Sequence, residues 1–286
     1  MKVGVVFPQT EIGADPSYIK DYGQAAEELG FAHILAYDHV VGANPASRVD
    51  WRGPYSHLDS FHEPLVLFSY LAGLTRRIEF CTGIIILPQR QTVLVAKQTA
   101  ALDVLSGGRL RFGIGIGWNP VEYEALGADF NNRGRRVEEQ VEVLRLLWTR
   151  PTVTFDGRWH KITDAGLNPL PVQRPIPIWF GGGDERALRR LARLGDGWFP
   201  LLDPDEKCRA MIDKIRQFAS EAGREPETIG IEGRISYGRG DPSAWQRDLA
   251  SWQNLGATHV SFNTMKAGLN SPSAHIEAIR RFARGL

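Results

Sequence analysis

The stretch 78–117, IEFCTGIIILPQRQTVLVAKQTAALDVLSGGRLRFGIGIG, joins two apolar runs through a segment of helical period. The runs IEFCTGIIIL (78–87) and LRFGIGIG (110–117) are apolar on both faces, which is typical of strands in a parallel sheet. The segment between them, QTVLVAKQTAALDVLSGG (91–108), ends in the glycines that commonly close helices. The stretch therefore predicts a strand, a crossover helix and a second parallel strand.

This alternation extends along the whole chain. Eight apolar runs are separated by longer segments of helical period, and eight such units fit a closed (β/α)8 TIM barrel. An open doubly wound sheet is the alternative. No linker or composition shift divides the chain, so we predict one domain over residues 1–286. The runs lie at 3–8, 33–38, 78–87, 110–117, 176–182, 197–202, 228–237 and 258–264.

Composition narrows the classes of function. The chain has 286 residues, 43% of them apolar, and its 34 basic and 33 acidic residues leave a formal net charge of +1. Nucleic acid and anionic membranes are therefore poor candidates as partners, and a small-molecule substrate is favoured. The opening MKVGVVFPQT does not read as a signal peptide, so we expect a cytoplasmic protein. Cys81 and Cys208 have no metal-ligand spacing, and no metal is predicted.

Two long segments interrupt the regular spacing. Residues 40–63 follow the second run, and residues 151–175 precede the fifth. Loops of this length in a compact domain are usually functional or disordered, and their aromatic residues argue against disorder. Both segments are therefore expected to carry function. The aromatics in question are Trp51, Tyr55, Phe155 and Trp159.

The second run ends on an acid beside an imidazole, Asp38 and His39. Active sites of parallel barrels lie where the strands end, so this position favours a functional role. An imidazole, with an ordinary pKa of about 6.5, can give or take a proton near neutral pH. The structural alternative is an aspartate that caps a loop and a histidine bound by a carbonyl group.

Two glycine-rich strand ends suggest a site that binds a phosphate group. Gly113, Gly115 and Gly117 occupy alternate positions, which would leave one face of the fourth strand open to a planar ligand or phosphate. The fifth run ends in three glycines, residues 181–183, and leads into a helix whose N-terminus would favour an anion. Glycine also serves tight barrel corners, so each run alone is weak evidence.

Several segments in order resemble the luciferase-like monooxygenase superfamily and, within it, the coenzyme F420-dependent oxidoreductases. The resemblance covers nearly the whole chain, and its middle block is the most specific. The segments are VGVVFPQ (3–9), AAEELGFAHILAYDH (25–39), TGIIILPQRQTVLVAKQTAALDVLSGGRLRFGIGIGW (82–118), EYEALG (122–127), RGRRVEEQVEVLRLLW (133–148), FDGRWHKI (155–162) and NPLPVQRPIPIWFGGG (168–183).

The resemblance implies a (β/α)8 barrel with insertions at its carboxyl-terminal mouth, where it binds a reduced flavin or deazaflavin. The ring would lie against strand three, at a cis peptide bond between Gly83 and Ile84. His39 would transfer a proton or position the hydride, and Asp38 would orient His39 or the cofactor. Some relatives have a glutamate where this chain has Trp118, which weighs against sugar-phosphate dehydrogenase chemistry. The predicted cofactor contacts are Gly83, Ile84, Gly115, Gly117, Trp118, Gly181, Gly182, Gly183 and Arg136.

The choice of cofactor depends on the group beyond the phosphate. Coenzyme F420 carries an anionic oligoglutamate tail there, so its users need a basic exit path, whereas FMN stops at the phosphate. Arg133, Arg135, Arg136 and Arg186 could line such a path or could be ordinary surface residues. We predict hydride transfer between F420 and a small organic substrate, with FMN-dependent monooxygenation and a non-catalytic ligand-binding barrel as alternatives. The resemblance also implies a homodimer.

Overall fold

Eight parallel strand positions close into a barrel in the computed structural model, which describes residues 1–48 and 50–286. Within the predicted loop 40–63, Val49 lies outside the described residues. The strands are β1 (Lys2–Val6), β2 (His33–Ala36), β3 (Glu79–Thr82), β4 (Ile85–Ile86), β5 (Leu110–Gly115), β6 (Val153–Asp156), β7 (Lys161–Ala165), β8 (Ile178–Gly181), β9 (Gly197–Phe199), β10 (Gly230–Ser236) and β11 (His259–Asn263).

The ring of hydrogen bonds runs β1-β2-β3-β5-β8-β9-β10-β11 and returns to β1. Two parallel pairings close it: β1 with β11, where Val3 faces Val260, and β3 with β5, where Phe80 faces Leu110. The short β4 continues the third barrel position beside β5. This closure confirms the predicted (β/α)8 barrel and excludes the open sheet. Each of the eight predicted runs overlaps a barrel strand.

Helices surround the barrel, and most begin at a polar side chain that accepts a hydrogen bond from the first turn. Asp15, Glu63, Asp205 and Asp241 cap α1, α2, α7 and α8 in this way. None of the described helices is long and apolar enough to cross a membrane. The helices are α1 (Pro16–Glu28), α2 (Pro64–Leu74), α3 (Thr92–Ser106), α4 (Pro120–Ala125), α5 (Arg133–Thr149), α6 (Glu185–Leu194), α7 (Glu206–Glu221), α8 (Pro242–Asn254) and α9 (Pro272–Ala283).

The predicted loop 151–175 is partly regular. Strands β6 and β7 form an antiparallel hairpin, in which Phe155 faces Ile162. Glu139 on α5 anchors the hairpin, because its Oε1 accepts hydrogen bonds from the backbone of Trp159 and His160 at 2.8 and 2.9 Å. The hairpin is therefore an ordered insertion fixed to the outside of the barrel.

The barrel interior has a polar layer beneath an apolar one. Glu232 on β10 is buried and bonded to Arg111, Ser261 and His33, the last at 2.8 Å. Burial raises the pKa of the Glu232 carboxyl, but Arg111 and His33 lower it by more, so it lies well below its ordinary value. Above this layer, towards the mouth, pack Val6, Leu35, Cys81, Trp179, Phe199 and Met265.

Candidate active site

Asp38 ties the end of β2 to β4. Its Oδ2 accepts a hydrogen bond from the backbone N–H of Ile86 at 3.0 Å, and its Oδ1 accepts one from Arg90 Nη2 at 2.7 Å. Arg90 also donates to Glu63 Oε1 at 2.9 Å. The Asp38 side chain is inaccessible to solvent. Burial raises the pKa of this carboxyl, and Arg90 and the Ile86 N–H act in the opposite direction.

His39 points the other way, towards α4. Its Nδ1 lies 3.2 Å from Glu122 Oε1, and the same oxygen accepts a hydrogen bond from Val40 N at 2.9 Å. A carboxylate only accepts, so Nδ1 carries the hydrogen and Nε2 of a neutral ring is the free acceptor. Among the described residues, Nε2 has no hydrogen-bond partner. The ring is therefore held at one nitrogen and open at the other.

The predicted role of Asp38 in orienting His39 does not match these contacts. Asp38 binds Arg90 and Ile86, and the carboxylate beside His39 is that of Glu122. Successive residues of an extended chain point to opposite sides, which separates the two side chains. Asp38 acts on the backbone that follows the third barrel strand.

Glu122 is the residue that sequence reasoning missed. It lies in the first turn of α4, is fully buried, and its Oε2 has no hydrogen-bond partner among the described residues. Acidic residues in a first turn commonly stabilise the helix dipole from the surface, so the pattern in EYEALG gave no sign of an inward carboxylate. Only its Oε1 has partners in the described chain, the His39 Nδ1 and the Val40 N–H, so the carboxylate is held at one oxygen.

Aromatic rings surround the His39 imidazole. The ring centroids of Tyr55, Phe61 and Trp118 lie 5.0, 4.8 and 5.9 Å from that of His39. Trp118 also contacts Trp51 at 5.6 Å and stays 41% exposed. His39, Tyr55, Phe61 and Trp118 line a cavity of about 300 Å³, which we call the histidine cavity. The predicted cofactor contact Trp118 thus lies at the wall of this cavity.

The peptide bond between Gly83 and Ile84 is cis, as predicted. Ile84 packs in part against the apolar layer of the barrel mouth, beside Leu35 and Phe199. This bulge separates β3 from β4 and presents the Ile84 side chain to the interior. The two predicted contact residues therefore lie at the mouth, where the resemblance places the ring.

The glycines of β5 do not leave an open face. A Cβ on Gly115 would lie 2.5 Å from Ile84 Cδ1, and one on Gly113 would lie 1.8 Å from the carbonyl oxygen of Thr82. A Cβ on Gly117 would lie 2.6 Å from Ile86 Cγ2. Thr82, Ile84 and Ile86 therefore fill the space beside these glycines, so the expected face without side chains is not present, and the contact of Gly115 and Gly117 with a cofactor stays a prediction. The glycines make room for the bulge.

The triple glycine loop lies exposed ahead of α6. Gly182 has φ +112°, a conformation that favours glycine, and its carbonyl oxygen accepts a hydrogen bond from Trp198 Nε1 at 2.8 Å. Asp184 caps α6 by accepting from Ala187 N at 3.0 Å. One carboxylate therefore already occupies part of the helix N-terminus predicted for a phosphate.

Beside this loop lies a cavity of about 710 Å³ between the starts of α5 and α6, which we call the arginine cavity. Glu138 binds Arg190 and Arg193, and Arg189 pairs with Glu185 and Glu221. Within residues 1–48 and 50–286, the other arginines that line the arginine cavity make no ion pair. Predicted Arg136 does not line the cavity. The cavity is lined by Ile116, Asn131, Arg133, Gly134, Arg135, Glu138, Asp184, Arg186, Arg189, Arg190 and Arg193.

Comparison with known proteins shows several relatives of this chain. It is 34% identical over 237 residues to an uncharacterized protein of Mycobacterium tuberculosis, covering 79% of this chain and 81% of the relative. It is 31% identical to the FMNH(2)-dependent dimethylsulfone monooxygenase of Pseudomonas putida, covering 76% and 57%. It is 29% identical to the F420-dependent glucose-6-phosphate dehydrogenase of Intrasporangium calvum, covering 90% and 76%.

Solved structures show the same fold. The monooxygenase RslO1 from Streptomyces bottropensis superposes with a TM-score of 0.81 at 21% identity, covering 100% of this chain and 98% of that one. The coenzyme F420-dependent tetrahydromethanopterin reductase from Methanopyrus kandleri gives 0.76 at 17% identity, covering 97% and 96%.

The family model described as luciferase-like monooxygenase matches residues 1–284. This match spans both the barrel and the residues of the site, and it agrees with the resemblance found in the sequence. Its relatives include enzymes named for F420 and enzymes named for FMNH(2). The chain belongs to the luciferase-like monooxygenase family.

Proposed function

We propose that this protein is an oxidoreductase that transfers hydride between coenzyme F420 and a small organic substrate. The observation that carries the proposal is the arginine cavity beside the triple glycine loop. Arg133, Arg135 and Arg186 line it without a carboxylate partner among the described residues, so they can pair with an anionic ligand. FMN ends at one phosphate, whereas the oligoglutamate tail of F420 continues beyond it and needs such a cationic surface.

The residues at the barrel mouth fit a flat ring with polar edges. Ile84 supplies an apolar wall, and Asp38 holds the backbone behind it through Ile86. The deazaflavin would supply the hydride chemistry when bound, and the chain would supply orientation and a proton. His39 would hold or release that proton at Nε2, since Glu122 occupies the hydrogen on Nδ1. The surrounding rings of Tyr55, Phe61 and Trp118 would exclude water.

FMN-dependent monooxygenation is the second candidate. It is favoured by the likeness to the dimethylsulfone monooxygenase, whose name records FMNH(2) as its cofactor. A barrel that binds a ligand without turnover is the third candidate. In a non-catalytic barrel, the unpartnered Nε2 of His39 would have no role in proton transfer.

Titration of the apoprotein with F420 and separately with FMN tests the proposal, followed by absorbance and fluorescence. We expect tight binding of F420, and weaker binding as salt rises because ionic contacts are screened. Binding of FMN alone would favour the monooxygenase, and binding of neither would favour the non-catalytic barrel.

The tail contact can be tested separately. Arg135→Gln with Arg186→Gln should weaken F420 binding about tenfold or more, because two charge-assisted contacts are lost. The same two substitutions should leave unchanged the binding of a truncated deazaflavin that lacks the phosphate and the tail. Arg216→Gln, at an exposed position of α7, is the control for a lost surface charge. Equal losses for the two ligands would show that the arginines do not bind the tail.

Gly182→Asp should weaken F420 affinity by at least about tenfold if the phosphate lies at residues 181–183, because a carboxylate there repels it. Positive φ at this residue also disfavours any side chain. Gly182→Asn is the matched control, since asparagine has the same shape, no charge and some tolerance of positive φ. Equal affinities of the two variants for F420 would place the phosphate elsewhere.

The homodimer implied by the resemblance is also a proposal. Helices α2 and α3 expose apolar side chains, including Val66 at 66%, Leu94 at 51% and Leu105 at 67% exposure. A second copy of this chain would cover such a face, because exposed apolar patches commonly mark interfaces. Sedimentation velocity should show a dimer for the wild type and a monomer for Leu105→Glu. A monomeric wild type would refute it.

A further inference from the structure

A third cavity, of about 400 Å³, opens at the barrel mouth on the side of β10 and β11. We call it the mouth cavity. Tyr55 lines both this cavity and the histidine cavity, so the two are neighbours. Its polar lining residues include Tyr37, Tyr55, Arg234, Arg239, Asn263 and Lys266.

Arg234 reaches across the barrel from β10. It stands two residues after Glu232, so both side chains point inwards from the strand. Its Nη1 lies 3.3 Å from the hydroxyl of Tyr37, which follows β2. Gln9 fixes Tyr37 in turn, by accepting from its backbone N–H and donating to its carbonyl oxygen at 2.8 Å. The guanidinium is therefore held above the apolar layer of the interior.

Lys266 approaches from the loop after β11. Its Nζ lies 5.0 Å from the centroid of the Tyr55 ring. The residue has φ +58°, a left-handed conformation that is unfavourable for lysine and persists only where neighbours enforce it. Glu11 Oε1 accepts a hydrogen bond from its backbone N–H at 2.7 Å. The backbone is thus fixed while the charged end stays at the cavity.

Arg234 and Lys266 form no ion pair with a carboxylate among the residues that the structure describes, and Asp203, which lines the neighbouring cavity with Arg234, pairs with Arg239. The nearby Glu11 carboxylate accepts a hydrogen bond from the backbone N–H of Lys266 and not from its side chain. Within the described part of the chain, neither Arg234 nor Lys266 has a carboxylate within 4.0 Å. The mouth cavity therefore keeps two positive charges facing one space, with the hydroxyls of Tyr37 and Tyr55 as further donors.

We propose that the mouth cavity binds the anionic group of the substrate. Arg234 and Lys266 hold a carboxylate, phosphate or sulfonate there, and the rest of the molecule extends past Tyr55 towards His39. The substrate of the proposed reaction is therefore a small organic anion. This inference rests on the proposed function for its role in turnover, but the anion site itself does not depend on which cofactor binds.

Calorimetric titration of the apoprotein with inorganic phosphate, sulfate and acetate tests the site. We expect the double variant Arg234→Gln with Lys266→Gln to bind the preferred anion about tenfold more weakly or worse than wild type. The order of the three anions in the wild type would tell which group the substrate carries. Lys214→Gln with Arg216→Gln removes the same charge from α7 and should leave anion binding unchanged.

Equal anion binding by wild type and the Arg234/Lys266 variant would overturn the proposal, as would an equal loss in the α7 control. Lys266→Gln alone, at an exposed position, covers the case in which the double variant does not fold, and should itself weaken anion binding.

F420 and FMN are titrated in parallel. Loss of cofactor affinity without loss of anion affinity would assign these cations to the cofactor. Anion binding by a protein that binds neither cofactor would keep this site and reject the proposed function.

Discussion

His39→Asn is expected to slow the chemical step by about 100-fold or more while coenzyme affinity and melting temperature stay unchanged. The asparagine amide can replace Nδ1 as a donor to Glu122, so the local contacts survive. What the variant lacks is a group at the position of Nε2, the nitrogen without a partner among the described residues. The measurement is a single-turnover rate, with affinity and thermal unfolding determined on the same preparations.

His57→Asn is the control for this experiment. His57 lines the same cavity, and its Nδ1 lies 3.4 Å from the carbonyl oxygen of Ala43, so its loss should change the rate only a few-fold. Glu122→Gln should slow the step by less than His39→Asn, since a neutral amide still accepts from the ring and from Val40. An unchanged rate in His39→Asn would remove this histidine from the mechanism and support the non-catalytic barrel.

The barrel was predictable because buried parallel strands must be apolar on both faces. Each run, from 3–8 to 258–264, carries that pattern, and the helix between 78–87 and 110–117 sets the parallel direction. The hairpin of β6 and β7 was not predicted. Its strands lie outside the barrel and are mostly exposed, so they lack the apolar pattern that marked the others.

The site was predictable in position and less so in its contacts. Strand ends located Asp38 and His39, but Glu122 lies 83 residues from His39 along the chain and becomes its partner only when α4 packs on the mouth. The glycines of β5 show the converse case. Their spacing was informative, yet only the fold shows that Ile84 and Thr82 occupy the space that they leave. Pairings across the barrel depend on tertiary packing, which local patterns do not record.

The pair of Asp38 and Arg90 carries the second large effect. Arg90→Met is expected to lower the free energy of unfolding by about 3–5 kcal/mol, because it leaves the Asp38 carboxylate buried without a counter-charge. The free energy of unfolding is measured by urea denaturation, monitored by circular dichroism. Arg280→Met breaks an exposed pair with Glu277 on α9 and should cost no more than about 1 kcal/mol.

The pH dependence of the loss distinguishes an unpaired charge from a packing defect. Burial raises the pKa of Asp38, and without Arg90 that pKa rises further. A carboxyl whose folded pKa is raised contributes stability below its unfolded pKa and loses that contribution as pH rises through the folded value. The deficit of Arg90→Met should therefore shrink as pH falls. A deficit independent of pH would indicate lost packing of the arginine stem.

Asp38→Asn in the Arg90→Met background removes the remaining charge and should recover part of the lost stability. The amide oxygen can still accept the hydrogen bond from Ile86 N–H, so the link between β2 and β4 is kept. Asp38→Asn alone, assayed where it is folded, should alter the chemical step far less than His39→Asn. A loss of rate in Asp38→Asn that matches His39→Asn would instead make Asp38 a participant in the proton transfer, because its structural contacts would not account for it.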